Sequence, residues 1–483
     1  MSLSSALSIA QSSLLNTGRQ TNAVSRNVME QNNSDYARRT AVLSSSAPGA
    51  RVVVIQRATN EQLFRQNLSA VSAYSGQATL YIGLDHLNLR VNGVENAMSP
   101  AASITELQKA LQIYSAAPSN RTLADNAINA AREVVRSLND GASSIQAFRA
   151  ETDQEIAYAV DDLNNLLAQF KDANNRIVAG TRAGRDVNDE LDRRDGLLKQ
   201  ISDFLPISTI TRSDNDMVIM TSDGTTVFET IPRSIAFEAS PAYPAGEAGN
   251  KIYIDGVPVP IGSGGSVGAG GKLAALVQLR DSVAVTMQSQ LDEIARGLIN
   301  AFAETNPSAP PPGDPMAGLF TTPPPAPGMP LTGLVHGLAS TISLNPDFVT
   351  HPEYLRDGGA NGANYIHNPG GSSYAELIIA YSQRLDEPVS FDPAAGIGDK
   401  ASVAAYSANS IGWFQGLRQE ASRAAETKEA LAVRSAEALS NMTGVNVDME
   451  MSMLLDLEHS YQASARLIKA VDEMLAALLA AVR

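Results

Sequence analysis

The sequence predicts a mainly α protein with an inserted β domain. Its N- and C-terminal helices pair as a coiled coil, a helical bundle lies next to them, and a small β domain sits outermost. Three observations predict this. Both ends carry an apolar stripe with a seven-residue period, the spacing that seats one helix along another. Hydrophobic residues make up 44% of the 483 and aromatics only 5%, and a core of Ala, Leu, Val and Ile suits long helices better than a thick sandwich. One internal stretch, after Pro206, alternates β-branched residues between turn formers. The length exceeds what one hydrophobic core usually serves, so several domains are expected.

Taken in order, residues 1–30 form an a/d pattern over four heptads. Leu7, Leu14, Thr21 and Val28 make one row, and Leu3, Ala10, Thr17 and Val24 the other; as continuous helix this spans roughly 40 Å. Asn32, Asn33, Ser34 and Asp35 are turn formers that end it. Two β-like runs follow at 39–45 and 51–57, where Val52, Val53, Val54 and Ile55 favour strand. From about 61 to 200 the three-and-four spacing of Leu, Ala, Ile and Val reads as the arms of a bundle.

The β stretch covers about 206–262, with turns at SDND and SDGT and a hairpin in NKIYIDGVPVPIG. After the glycine run GSGGSVGAGG, helix resumes for about 35 residues. Pro-rich 306–330 reads as an exposed linker. Irregular sequence continues to about 372, and helix then dominates from about 400. The expected domains are 1–60 plus 430–483 (coiled coil), 61–205 plus 271–306 plus 372–429 (bundle), 206–270 (β insert) and 307–371 (linker and irregular segment).

At the C-terminus Leu454, Tyr461, Ile468, Leu475 and Val482 lie seven apart, and Leu457, Val471 and Leu478 line the adjoining row, with Ser464 as its gap. Each buried Leu or Ile gains roughly 1.5–3 kcal/mol that a lone helix in water does not. The simplest arrangement therefore lays the two ends together. Met451, Met453, Tyr461 and Met474 widen the stripe beyond one seam, so neighbouring copies are expected on the remainder. The assembly residues expected from this pattern are Leu3, Leu7, Leu14, Val24 and Val28 on the first helix, with Leu454, Leu457, Tyr461, Ile468, Val471, Leu475 and Leu478 on the last.

The bulk composition excludes several classes. A net charge of −15 argues against nucleic acid or an anionic membrane as partner. No run of about 20 uninterrupted apolar residues predicts a membrane span. Cysteine is absent, so disulfides, thiolate nucleophiles and cysteine metal sites are excluded. The first fifteen residues lack the basic and continuous apolar regions of a cleaved secretory signal, so any export is expected by another route.

Terminal heptads around an inserted middle, without cysteine or cleaved signal, resemble the bacterial flagellar axial proteins. AVSRNVMEQNNSDYARR (23–39) is similar to their segment SNNIANxNTPGYxRQ, with Asn27, Asn33 and Tyr36 standing for two of its asparagines and its tyrosine. It departs by Ser34-Asp35 where that segment has Pro-Gly. DVNDELDRRDGLLKQIS (186–202), the helix 270–306 and STISLNPDFVTHPEYLR (340–356) are similar to blocks of the hook-associated members.

The resemblance implies a structural subunit at the hook–filament junction, extracellular and exported unfolded by the flagellar type III pathway. It implies as partners further copies in a ring, the hook protein, a FlgL-type junction protein, and an export chaperone, FlgN, on the C-terminal helix. Cofactors are not expected. Alternatives are a hook subunit or FlgL-like axial protein, and more remotely a cell-wall hydrolase or adhesin on an axial scaffold. Arg19, Arg26, Arg38 and Arg39 either pair with acids such as Asp448, Glu450, Asp456 and Glu458 or stand as solvated surface charge.

Catalytic signals are weak. The glycine run fails as a phosphate loop, because Ser266 stands where the first glycine belongs and Leu273 follows Lys272. Asp192 and Asp195 share a helix face, but Arg193 and Arg194 beside them would keep both ionised, so salt bridging between bundle helices is expected. His86, His336, His351, His367 and His459 are scattered without metal-ligand spacing, and no serine is placed as a nucleophile. The chain reads as a non-enzyme.

Overall fold

The structure is a computed structural model that describes residues 3–46, 49–259, 270–307, 315–323 and 329–481. In chain order, helix α1 (Leu3–Met29) leads into a hairpin of β1 (Arg39–Ser46) and β2 (Gly49–Arg57). Helices α2 (Glu61–Val91), α3 (Pro100–Ala116), α4 (Arg121–Arg182) and α5 (Asn188–Phe204) follow. Next come β3 (Ile207–Thr211), β4 (Met217–Thr221) and β5 (Thr226–Phe228), then β6 (Ile235–Ala236), β7 (Tyr253–Ile254) and β8 (Val257–Pro258). Helix α6 (Gly271–Gln278) passes through a π-helical turn, Leu279–Val283, into α7 (Ala284–Ala301).

The short elements β9 (Phe320–Thr321), α8 (Leu338–Thr341), β10 (Ser343–Leu344), α9 (Pro346–Thr350) and α10 (Tyr354–Asp357) precede α11 (Glu376–Asp386). Strands β11 (Val389–Ser390) and β12 (Lys400–Ala401), α12 (Val403–Thr443) and α13 (Val447–Ala481) complete the chain. The fold is mostly helical with small two- and three-stranded antiparallel sheets.

Two compact units divide the chain. One comprises 1–75, 162–234 and 427–483; the other comprises 76–161 and 235–426. In the first unit, α1 and α13 lie side by side and the β1–β2 hairpin packs on α1. Strands β3, β4 and β5 form its sheet, and Phe170 of α4 meets Phe228 of β5 edge to face at 4.9 Å. Apolar spacing on α5 buries Leu197, Leu198 and Ile201.

The second unit has a continuous core of Leu80, Leu84, Leu87, Ile104, Leu107, Leu138, Ile145, Leu291, Leu298 and their neighbours. Gly83 is required where α2 crosses the π turn, since a Cβ there would overlap the Leu279 side chain.

The β stretch expected as one insert divides between the units. β3–β5 belong to the first, and β6–β8 with the segment around them to the second. Two arginines explain the second half. Arg149 of α4 and Arg280 of the π turn are fully buried. Arg280 pairs with buried Asp153 and donates to Asn250 O at 2.9 Å; Arg149 donates to Pro244 O at 3.3 Å and to Glu247 O. Ser240 N donates to Asp153 Oδ2 at 2.6 Å. Segment 240–250 is thus held by its backbone on buried charges, which need such partners.

The irregular region is organised the same way by α7 and the residues after it. Asp292 accepts from Gly337 N and Ala339 N, each at 2.8 Å, and Glu293 from Asp392 N at 2.7 Å. Buried Glu304 accepts from Gly359, Ala360 and Asn361 N. Side chains that look like a polar helix face are the anchors of the loops around it.

Candidate assembly interface

Two side-chain contacts fix how the terminal helices pair. Ser13 and Ser464 share a hydroxyl hydrogen bond of 2.8 Å, and Asn27 Nδ2 donates to Glu450 Oε2 at 2.9 Å. Fourteen residues separate the two positions on each helix, in opposite directions, so α1 and α13 run antiparallel in one register over two heptads. Ten residues before Ser13, Leu3 stands about level with Met474. The end of α13, from Leu475 to Ala481, therefore runs past the start of α1.

The row of α13 on α1 is Glu450, Leu457, Ser464 and Val471, all buried. This corrects the expected seam in part. Leu457 and Val471 are in the contact, but Leu454 and Ile468 are only half-buried, and Tyr461, Leu475 and Leu478 are exposed at 50%, 37% and 52%. Ser464, read as a gap, is part of the contact. On α1, Val24 is buried and Leu7, Leu14 and Val28 are half-buried. The side chain of Leu3 and all of Val482 lie outside the described residues.

Where α1 ends, Asn27 organises a buried polar hub. Its Oδ1 accepts Tyr36 OH at 2.8 Å and Arg39 N at 2.9 Å, and its Nδ2 donates to Arg39 O at 2.9 Å as well as to Glu450. Glu450, fully buried, also takes Arg38 Nε at 2.5 Å. Arg38 N donates to Thr443 O at 2.7 Å. Burial pushes the Tyr36 hydroxyl up to about 12, against the pull of Arg39.

Asn33 is exposed and outside this hub. It closes the turn instead: its Oδ1 accepts Asp35 N at 3.1 Å and its O accepts Tyr36 N at 3.1 Å. An Asx turn thus stands where the related segment has Pro-Gly.

The basic residues near the start are bonded, though only one to the acids expected. Arg38 meets Glu450. Arg26 and Arg39 pair with Asp189 of α5, and Arg19 Nη1 donates to Val52 O at 3.3 Å. Of the acids of DELDRRD, Glu190 pairs with Arg176 of α4 at 3.3 Å, a bridge between bundle helices as expected, while Asp192 and Asp195 bridge to the hairpin. Asp192 takes Arg39 and Arg57, each at 3.0 Å, and Asp195 takes Arg57.

Burial raises the Asp192 carboxyl despite Arg57 and Arg39. Burial also raises Asp189, but its hydrogen bonds to Arg26 and Arg39 outweigh this and hold it below the usual carboxylate range. Arg194 turns inward, donating to Asn174 Oδ1 at 3.1 Å and Asn215 O at 2.5 Å, and burial lowers it to about 10. Asp189, Glu190, Asp192, Arg194 and Asp195 of this block each have a structural partner.

Among the described residues, no group of three His, Asp or Glu side chains is placed to hold a metal ion. No helix among them is long and apolar enough to cross a membrane. The glycine run does contain one hydrolase-like spacing that the serine reading passes over, Gly264-Gly265-Ser266-Val267-Gly268. It lies outside the described residues.

Terminal helices paired from opposite ends of the chain, a buried polar hub between them and an exposed apolar α13 surface are the features of a subunit in a larger structural assembly. Residues 92–308 match the family of the flagellar hook-associated protein FlgK helical domain, and 436–481 match the flagellar basal body rod FlgEFG protein C-terminal family. Both models describe structural proteins of the flagellum, and with a FlgK-type helical domain in its middle and an axial-protein domain towards its end the chain is a flagellar structural component of hook-associated, FlgK-like type. The fold is similar to that of the flagellar hook junction protein FlgK from Burkholderia pseudomallei, at 13% identity and a TM-score of 0.57, over 77% of this chain and 99% of that one. No curated protein matches the sequence.

Proposed function

We propose that the paired α1 and α13 helices are the surface through which copies of this chain pack into a ring, and that the ring couples the hook protein on one side to a FlgL-type junction protein on the other. The chain travels unfolded through the flagellar type III pathway, with a FlgN-type chaperone covering α13 beforehand. One observation carries this reading. While one row of α13 packs on α1, Met451, Leu455, Tyr461, Leu467, Met474, Leu478 and Leu479 around it are all 47% or more exposed. A contiguous apolar surface of this kind on a water-soluble helix marks a protein contact. It also gives an export chaperone a helix to hold in its groove.

The test uses Tyr461→Asp combined with Leu478→Asp in cells whose own gene is deleted. Both side chains are exposed in the single chain, so the purified variant is expected to unfold within about 0.5 kcal/mol of the parent. The cells are expected to make hooks without filaments and to shed flagellin. Normal filaments on those cells would remove the reading.

A further inference from the structure

The row of α13 that faces α1 repeats every seven residues as Glu450, Leu457, Ser464 and Val471. Apolar packing alone does not choose among its heptads. Sliding α13 one heptad one way brings Leu457 to Asn27 and Val471 to Ser13; sliding it the other way brings Leu457 to Ser13 and takes Glu450 away from Asn27. A leucine-rich seam tolerates such slips unless a polar position forbids them.

Two positions here do. Asn27 is fully buried and its Oδ1 is occupied by Tyr36 OH and Arg39 N, so its Nδ2 has Arg39 O and the Glu450 carboxylate as acceptors. The second Glu450 oxygen takes Arg38 Nε at 2.5 Å. Either slip leaves a buried amide short of an acceptor and separates the carboxylate from its arginine. Two heptads away, either slip replaces the 2.8 Å Ser13–Ser464 contact with an aliphatic side chain against a hydroxyl.

We propose that Glu450 and Asn27 are a register lock, which selects one alignment of α13 on α1 among those the heptads allow. The lock supplies specificity more than stability, as buried polar positions in coiled-coil seams do. It fixes the height at which Tyr461 and Leu478 are presented.

The chain has no cysteine, so introduced thiols report without background. In the full-length protein, Ser13→Cys with Ser464→Cys reports the native alignment, and Ser13→Cys with Leu457→Cys or Val471→Cys reports the two slips. At low concentration, only products of monomer mass are scored. With Glu450 intact, the native pair alone is expected to close. In a Glu450→Leu background, slipped product is expected to rise about tenfold or more.

Glu450→Gln keeps the shape and an oxygen for Asn27 but loses the charge on Arg38, and is expected to fall between the two. It decides the matter if Glu450→Leu loses helical content by circular dichroism. The proposal is overturned if a folded Glu450→Leu chain, or Glu450→Gln where the leucine variant does not fold, closes the native pair alone.

Discussion

Asn27 is expected to matter far more than the tyrosine bonded to it. Replacing Tyr36 with Phe removes one neutral hydrogen bond of 2.8 Å and leaves Asn27 Oδ1 still holding Arg39 N. That loss costs about 1 kcal/mol. Replacing Asn27 with Ala strips partners from Tyr36 OH, Arg39 N, Arg39 O and Glu450 Oε2 at once, in a site with no water exposure at Asn27.

Each buried polar group left unsatisfied costs about 1–3 kcal/mol, so about 4 kcal/mol is expected once partial relaxation is allowed. Hydrogen exchange of α13 peptides under native conditions reads this directly as the free energy of local opening. Tyr36→Phe should speed that exchange about fivefold, and Asn27→Ala by about a thousandfold. If Asn27→Ala exchanges no faster than Tyr36→Phe, the hub is wet and the reasoning fails.

Two further outcomes are expected. Burial alone pushes the Asp203 carboxyl, at the end of α5, up to about 6. Between about pH 6 and its unfolded value near 4, the folded chain binds the extra proton, so this group lowers stability above pH 6 and the penalty disappears as pH falls. Asp203→Asn should therefore stabilise at pH 8 by about 1 kcal/mol, discounted for its partly exposed side chain, and by nothing near pH 4; equal shifts in melting temperature at both would contradict this. Glu304→Gln turns an amide NH2 toward the backbone donors of 359–361. It should cost about 2 kcal/mol and admit protease within 357–368, and an intact segment under limited digestion would refute the anchoring role.

How much of this was legible in the sequence differs from element to element. The seven-residue period announced both terminal helices and their pairing, and the Val52–Ile55 run announced the second strand of the hairpin. The face of α13 that meets α1 was legible only in part: Leu457 and Val471 stood out as an adjoining row, but apolar residues surround that helix and the true contact row opens with Glu450 and includes Ser464. A polar residue in a seam looks the same in sequence as a gap in one.

Asn27 and Tyr36 were visible only through the family resemblance; nothing in local periodicity marks a buried amide bonded to residues more than 400 positions away. The division of the β stretch was hidden for a similar reason. Its two halves alternate alike, and what separates them is whether buried arginines from α4 and the π turn reach their backbone.

The bond between Asn27 and Glu450 closes a span of 423 residues. Contacts so far apart in sequence cannot form until nearly all of the polypeptide is present. The first unit is therefore the last to be completed during synthesis, while 76–161 and 235–426 can gather most of their own core earlier. A chain lacking its final helix would lose a wall of the same unit that holds its first residues, so damage at one terminus is felt at the other.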